Sequence, residues 1–187
     1  MTGLGSAGPG KISRNRRNNM RKDHIDALKG ICDEKNLAKL KSIDNDKLHD
    51  FVIKYVKLFG PSSVFVRTDS PEDAEYIRVK SVEKGEEKAL GIKGHTVHFD
   101  GYNDQGRDKF STRYLLRPDE VLGSDIEAID RFEGLDEVHK LFEGAMKGRE
   151  MYIGFFCLGP NNSEFSIPAV QITDSCYVAH SEGILYR

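Results

Sequence analysis

Residues 151–158 carry no charge, Gly159-Pro160-Asn161-Asn162 supplies a turn signal, and residues 166–173 return to β-branched and apolar types. A short apolar run bounded by glycine and proline reads as a strand, and two such runs about a turn predict a hairpin. The pattern from Tyr177 onward continues to read as β. The final forty residues are therefore the most β-like part of the chain, while most of what precedes them has helical spacing. The fold class that follows is α/β (mixed α+β), a central mixed sheet with flanking helices.

Upstream, Ile25, Leu28, Ile31 and Cys32 recur at steps of three and four, and Leu37, Leu40 and Ile43 continue the pattern as a second short helix. Asp44 or Asn45 caps a clearer helix with Leu48, Phe51, Val52, Tyr55 and Val56 on one stripe, and Gly60-Pro61 stops it. Residues 63–67 read as a strand. Ser70 as N-cap with Pro71 behind it announces a charged helix, expected on the surface, that runs to about Gly85. Residues 95–100 and 112–116 are two more strand candidates, and Leu135, Val138, Leu141 and Phe142 mark a helix over 135–146. No internal repeat is present.

Residues 1–22 differ from the rest. Glycine and serine dominate the first ten, and Lys11, Arg14, Arg16, Arg17, Arg21 and Lys22 precede the first acid, Asp23. With Ile12 and Met20 as the only large apolar residues after Gly5, this segment reads as a disordered basic tail, and 23–187 as one domain. A nucleic-acid role for the tail is disfavoured, because no aromatics are interleaved with its charges. The 28 Lys and Arg against 30 Asp and Glu give a net charge of −2, which makes no case for a polyanion or membrane-surface binder. Cys32, Cys157 and Cys176 are odd in number and far apart, which suits reduced thiols better than disulfides or zinc. No apolar run is long enough for a membrane span or a secretory signal, so the expected compartment is the cytoplasm.

Three patterns invite chemistry. Gly5-Ser6-Ala7-Gly8-Pro9-Gly10-Lys11 approaches a phosphate-binding loop, but Ile12 stands where the metal-binding hydroxyl belongs and no helical stripe follows. His95, His98 and Asp100 look like metal ligands, yet on a strand 95 and 98 face opposite ways and no third ligand joins 98 and 100, so no metal site is expected. No nucleophile–base set stands out, and no catalytic residue is assigned. Asp104-Gln105-Gly106-Arg107-Asp108 places an arginine in a glycine-containing loop after a strand candidate, where its planar fork suits carboxylate or phosphate. On pattern alone, a solvated arginine or one paired with Asp104 or Asp108 is the better reading.

Met146-Lys147-Gly148-Arg149-Glu150-Met151-Tyr152, then Leu158-Gly159-Pro160, then Thr173-Asp174-Ser175 with Tyr177-Val178, form one ordered block. This block resembles the N-terminal lobe of GTP-dependent phosphoenolpyruvate carboxykinases, and Gly154-Phe155-Phe156 with Ala179-His180-Ser181 is most similar to archaeal members. In the same register, Asp104, Arg107 and Thr112 match the family's Asp-x-x-Arg motif and the threonine beyond it, while Lys109 stands where many members have glutamate. The resemblance extends over residues 95–187, is loose over 45–94 and does not cover 1–30.

The resemblance implies that Arg107 binds the carboxylates of oxaloacetate or phosphoenolpyruvate. It also implies the reaction itself: decarboxylation of oxaloacetate to an enolate that GTP phosphorylates, as in gluconeogenesis, with Mn²⁺ or Mg²⁺ bridging the oxygens. The family's nucleotide loop, metal ligands and lid lie in its C-terminal two-thirds. The expectation is therefore a substrate-binding fragment that ends within a β-rich run, lacks its catalytic partner lobe and is inactive alone. The alternative is a stand-alone carboxylate-binding or structural module.

Overall fold

In the computed structural model, residues 20–101, 112–160 and 162–185 are described. Helices α1 (Lys22–Leu28), α2 (Glu34–Lys41) and α3 (Asp46–Phe59) lead into strand β1 (Ser63–Val66) and helix α4 (Pro71–Glu83). Two short strands, β2 (Lys88–Ala89) and β3 (Thr96–Val97), pair antiparallel, and β4 (Tyr114–Leu116) pairs parallel with β5 (Ala128–Asp130). Helix α5 (Arg131–Phe142), strands β6 (Glu150–Leu158) and β7 (Ile167–Thr173) and helix α6 (Cys176–Leu185) complete the described order.

The principal sheet has the order β1-β6-β7, with β1 parallel and β7 antiparallel to the central β6, so it is mixed as expected. Side chains alternate across it with the two-residue period of a strand. Val64, Val66, Met151 and Ile153 enter one core with Leu28, Leu40, Val52 and Val56 from α1–α3. Phe65 and Tyr152 enter a second core with Ile77 of α4 and Cys176 and Ala179 of α6. The sheet is thus the middle of three layers, and each large apolar side chain it buries contributes about 1.5–3 kcal/mol.

Local signals account for most element ends. The Asn45 side chain accepts from Leu48 N at 3.1 Å to start α3, and Gly60, with φ of 61°, ends it in the left-handed conformation. Ser70 caps α4, with Pro71 in its first turn. Gly159 turns the chain after β6 at φ of 81°, where a Cβ would come within 2.6 Å of the Phe165 carbonyl oxygen.

Several expectations are corrected. Tyr177 onward is not a strand but α6, since Ser175 supplies a cap whose hydroxyl accepts from Val178 N at 3.2 Å. The helix expected over 135–146 spans Arg131–Phe142, started by the Asp130 carboxylate, which accepts from Phe132 N and Glu133 N. Only Thr96–Val97 of residues 95–100 forms a strand, and β2 and β5 carried no legible signal. The charged helix α4 buries Asp73, Ile77 and Ser81 rather than lying loosely on the surface. Met20, read as part of the tail, is buried at 6% exposure in the first core. The expectations for residues 1–19, including the phosphate-loop match, lie outside the described residues.

Lys39 and Asp73 link α2 to α4 as an ion pair 13% and 3% exposed. Asp73→Ala leaves the lysine buried without its partner and should cost about 3–5 kcal/mol in urea unfolding. The apolar double replacement Lys39→Met with Asp73→Leu should cost clearly less than that single change. A double variant at least as unstable as Asp73→Ala contradicts this account.

Candidate functional site

The ordered motif block folds into a single junction. The antiparallel register places Tyr152 opposite Thr173, so the segments before β6 and after β7 meet. There Arg149 Nη1 lies 2.6 Å from Asp174 Oδ2, joining the Met-x-Gly-Arg run to the Thr-Asp-Ser run. Thr173 Oγ1 accepts from Ser175 N at 3.1 Å and shapes the turn into α6.

Behind this junction Glu150 accepts from the hydroxyls of Tyr76 (3.0 Å) and Tyr152 (2.7 Å), and Lys84 donates to the Tyr152 oxygen at 3.2 Å. Burial and the Glu150 carboxylate push both phenols far up, so neither ionises near neutrality. Burial likewise raises the Cys176 thiol, 3.0 Å from the Tyr152 hydroxyl. These groups are locked donors rather than titrating acids or nucleophiles. Cys32, Cys157 and Cys176 are all unpaired.

A pair of consecutive acids, unremarked in the sequence, ties the junction to the β2–β3 hairpin. The Glu86 carboxylate accepts from Ser175 Oγ at 2.7 Å and Tyr177 N at 2.9 Å, completing the α6 cap from a distant segment. A negative charge is favoured at that helix end. Glu87, 6% exposed, accepts from the Ser81 hydroxyl, Thr96 Oγ1 (2.7 Å) and His180 Nδ1 (2.8 Å). Burial alone would raise its pKa, but the bonds from Ser81, Thr96 and His180 outweigh it and hold the carboxyl below its ordinary value. An acid pair in a loop was the only available signal, and pairing could not be read from it.

The sequence-derived ligands separate as follows. Arg107, with Asp104 and Asp108, lies outside the described residues, which stop at Gly101 and resume at Thr112. His95 is exposed, whereas His98 turns Nδ1 to the Glu86 carbonyl at 2.6 Å and stacks on Tyr177. The three residues His95, His98 and Asp100 therefore do not converge, and no group of three or more His, Cys, Asp or Glu among the described residues could hold a metal.

A cleft of about 810 Å³ opens at the C-terminal end of β1, lined by Val66, Arg67 and Thr68 with Phe155, Phe156 and Gly183. Ligands of α/β sheets favour this end of parallel strands. Arg67 is built into the wall: Nη1 donates to the Ala179 carbonyl at 2.7 Å and the guanidinium lies 6.0 Å over the Phe156 ring. Its position at the end of a strand, read only as part of residues 63–67, was the missed signal.

Fold and junction together define a three-layer α/β domain organised around a charged motif junction. A family model described as phosphoenolpyruvate carboxykinase N-terminal domain matches residues 50–187, and the chain belongs to that family. It is 51% identical over 162 residues to a phosphoenolpyruvate carboxykinase (GTP) of Thermococcus sibiricus, covering 87% of this chain and 26% of that protein. The corresponding protein of Saccharolobus solfataricus is 46% identical over 89% of this chain and 27% of its own length. That of Chlamydia muridarum is 29% identical over 79% and 25%. The chain spans about a quarter of the length of the curated relatives it matches. Among the described residues no helix is long and apolar enough to cross a membrane.

A carboxyl held below its ordinary value stabilises the fold above the normal carboxylate range and loses that contribution as pH falls through its lowered value. Glu87→Gln should therefore lower the urea midpoint at pH ~7 and flatten the loss of stability on acidification below pH ~4. An acid slope equal to that of the parent chain would refute this role.

Proposed function

We propose that this chain is the substrate-binding N-terminal portion of a GTP-dependent phosphoenolpyruvate carboxykinase. That enzyme converts oxaloacetate and GTP to phosphoenolpyruvate, CO₂ and GDP. The observation that carries the reading is the match to relatives of that name across nearly the whole chain, with the motif block assembled at one junction. Such a reaction, a decarboxylating lyase step followed by phosphoryl transfer, serves gluconeogenesis, and unpaired cysteines favour a cytoplasmic setting.

Arg107 is the substrate residue of this reading. Its guanidinium supplies a planar pair of N–H donors to one carboxylate, which fixes the acid's orientation and offsets its charge without moving a proton. The reading is supported by its place in the Asp104–Arg107–Thr112 spacing relative to the motif block. GTP and the Mn²⁺ or Mg²⁺ ion are assigned to the three quarters of the relatives that this chain does not span. The described residues do not fit a metal, since His98 commits Nδ1 to a carbonyl and only Asp100 stands near Nε2. The acidic substrate and the remaining catalytic lobe are the partners this reading implies.

Titration of phosphoenolpyruvate or oxalate followed by calorimetry tests the site. The parent chain should bind in the millimolar range and Arg107→Ala should weaken that by roughly tenfold or more. The isolated chain should form no phosphoenolpyruvate from oxaloacetate and GTP, while a polypeptide carrying the relatives' remaining length should. Equal binding by parent and variant removes Arg107 from the site. Absence of binding in both leaves a structural module.

A further inference from the structure

The two edges of the principal sheet differ in how their backbone groups are met. At the β1 edge, Val64 N donates to the Ile31 carbonyl and Val66 N to Asn36 Oδ1, each at 2.8 Å. The opposite edge is β7, which pairs with β6 and, among the described residues, with no other strand.

The register identifies the β7 groups that face outward. Arg67 N donates to the Ile153 carbonyl, so the backbone of Ile153 points toward β1. Successive residues of a strand point their N–H and C=O to alternate sides, so Tyr152 and Gly154 point toward β7. Thr173 and Gln171 lie opposite them and turn their own groups back to β6. Val170 and Ile172 are left with N–H and C=O aimed away from the sheet, and among the described residues nothing meets them.

An edge of this kind is a template for another strand, and proteins that leave one open guard it with charge, proline or a bulge. Residues 165–173 carry no charged side chain, and Pro168 guards only the beginning of β7. The ladder with β6 runs unbroken from Tyr152–Thr173 to Leu158–Ile167, so no bulge turns the edge aside. Val170 and Ile172 pack against the first core yet stay half-buried, and Ile167 and Phe165 are 61% and 71% exposed.

We propose that the outer edge of β7 receives a strand from the part of the carboxykinase polypeptide that this chain does not span. This inference rests on the reading of the chain as the N-terminal portion of that enzyme. The chain spans about a quarter of the relatives it matches, so their remaining length holds ample polypeptide to supply a strand. Val170 and Ile172 alone offer a ladder too short for stable pairing between free molecules, such as two copies of this chain. It suits a strand tethered in the same polypeptide, where the effective concentration is high. The incoming strand bonds to the Val170 and Ile172 backbone and carries apolar side chains on the face that continues the first core, completing their burial.

Amide hydrogen exchange tests this, read residue by residue by fragmentation mass spectrometry across 166–175. It is measured in this chain alone and in a polypeptide that also carries the relatives' remaining length. In this chain Val170 and Ile172 should exchange fast, while Ala169 and Gln171, turned to β6, exchange slowly. In the longer polypeptide Val170 and Ile172 should slow by roughly hundredfold or more. Val170→Pro removes only an outward N–H, so it should lower the urea midpoint of this chain less than Gln171→Pro does. In the longer polypeptide Val170→Pro should return Ile172 to fast exchange. Fast exchange at both residues in the longer parent polypeptide overturns the proposal. Slow exchange in this chain alone also overturns it, in favour of a second copy if dilution restores fast exchange and of cover from within the chain if it does not. Assay of the same longer polypeptide with oxaloacetate and GTP separates the two readings. Phosphoenolpyruvate formed with both amides fast keeps the enzymatic reading and removes the strand, whereas slow amides without product remove the enzymatic reading and keep the strand.

Discussion

Strand β1 lies at the edge of the principal sheet, with β6 on one side and, among the described residues, no strand on the other, and the rest of the domain depends on how that edge is closed. An open edge leaves backbone donors and acceptors to be satisfied or to pair with other chains. Here the helical N-terminal segment does the work of a missing strand. Val64 N donates to the Ile31 carbonyl at 2.8 Å, Val66 N donates to Asn36 Oδ1 at 2.8 Å, and Lys39 Nζ reaches the Val66 carbonyl at 2.8 Å. Lys39 can enter this region only because Asp73 meets it with both oxygens at 2.8 Å. Burial by itself would raise the Asp73 carboxyl, yet the bonds from Lys39 and Thr68 hold it below its ordinary value.

That edge closure also fixes the opposite layer. Asp73 sits in the first turn of α4 and accepts from Thr68 N at 2.8 Å, so the helix cannot rotate without breaking the same node that closes β1. Helix α4 then delivers Ser81 to the Glu87 carboxylate, and Glu86 and Glu87 pass the constraint to α6 and to the hairpin. A continuous run of buried or half-buried polar contacts therefore leads from the first helices to His98. Apolar packing sets the three layers, and these polar contacts set their register.

The parts legible in the sequence were those encoded locally. Asn45, Gly60, Ser70 and Pro71 announced the ends of two helices, and the uncharged run at residues 151–158 announced the central strand. The segment after Ser175 was misread because Tyr177 and Val178 favour strands, while the group that completes its cap, Glu86, lies ninety residues earlier. Strands β2 and β5 are two and three residues long, too short for any periodicity. Asp73, Glu87 and Arg67 show the general limit: a charged residue has the same identity in a solvated turn and at a buried or half-buried node, and only tertiary packing separates the two. The motif block was legible for a different reason, as its residues resemble a known pattern whatever they touch.

The Arg149–Asp174 pair sharpens that distinction. Its side chains are 65% and 25% exposed, and an ion pair so open to water contributes about 0–1 kcal/mol. It cannot be what brings the two motifs together. The pairing of β6 with β7 does that, with Tyr152 held opposite Thr173 and both cores closing over the sheet. The charges are thus carried to the junction by a framework that would form without them, whereas Lys39, Asp73 and Glu87 are needed by the framework itself. Residues of the second kind explain why the chain folds. Those of the first kind, which stability gives little reason to keep, are where the chemistry of a carboxykinase lobe is to be sought.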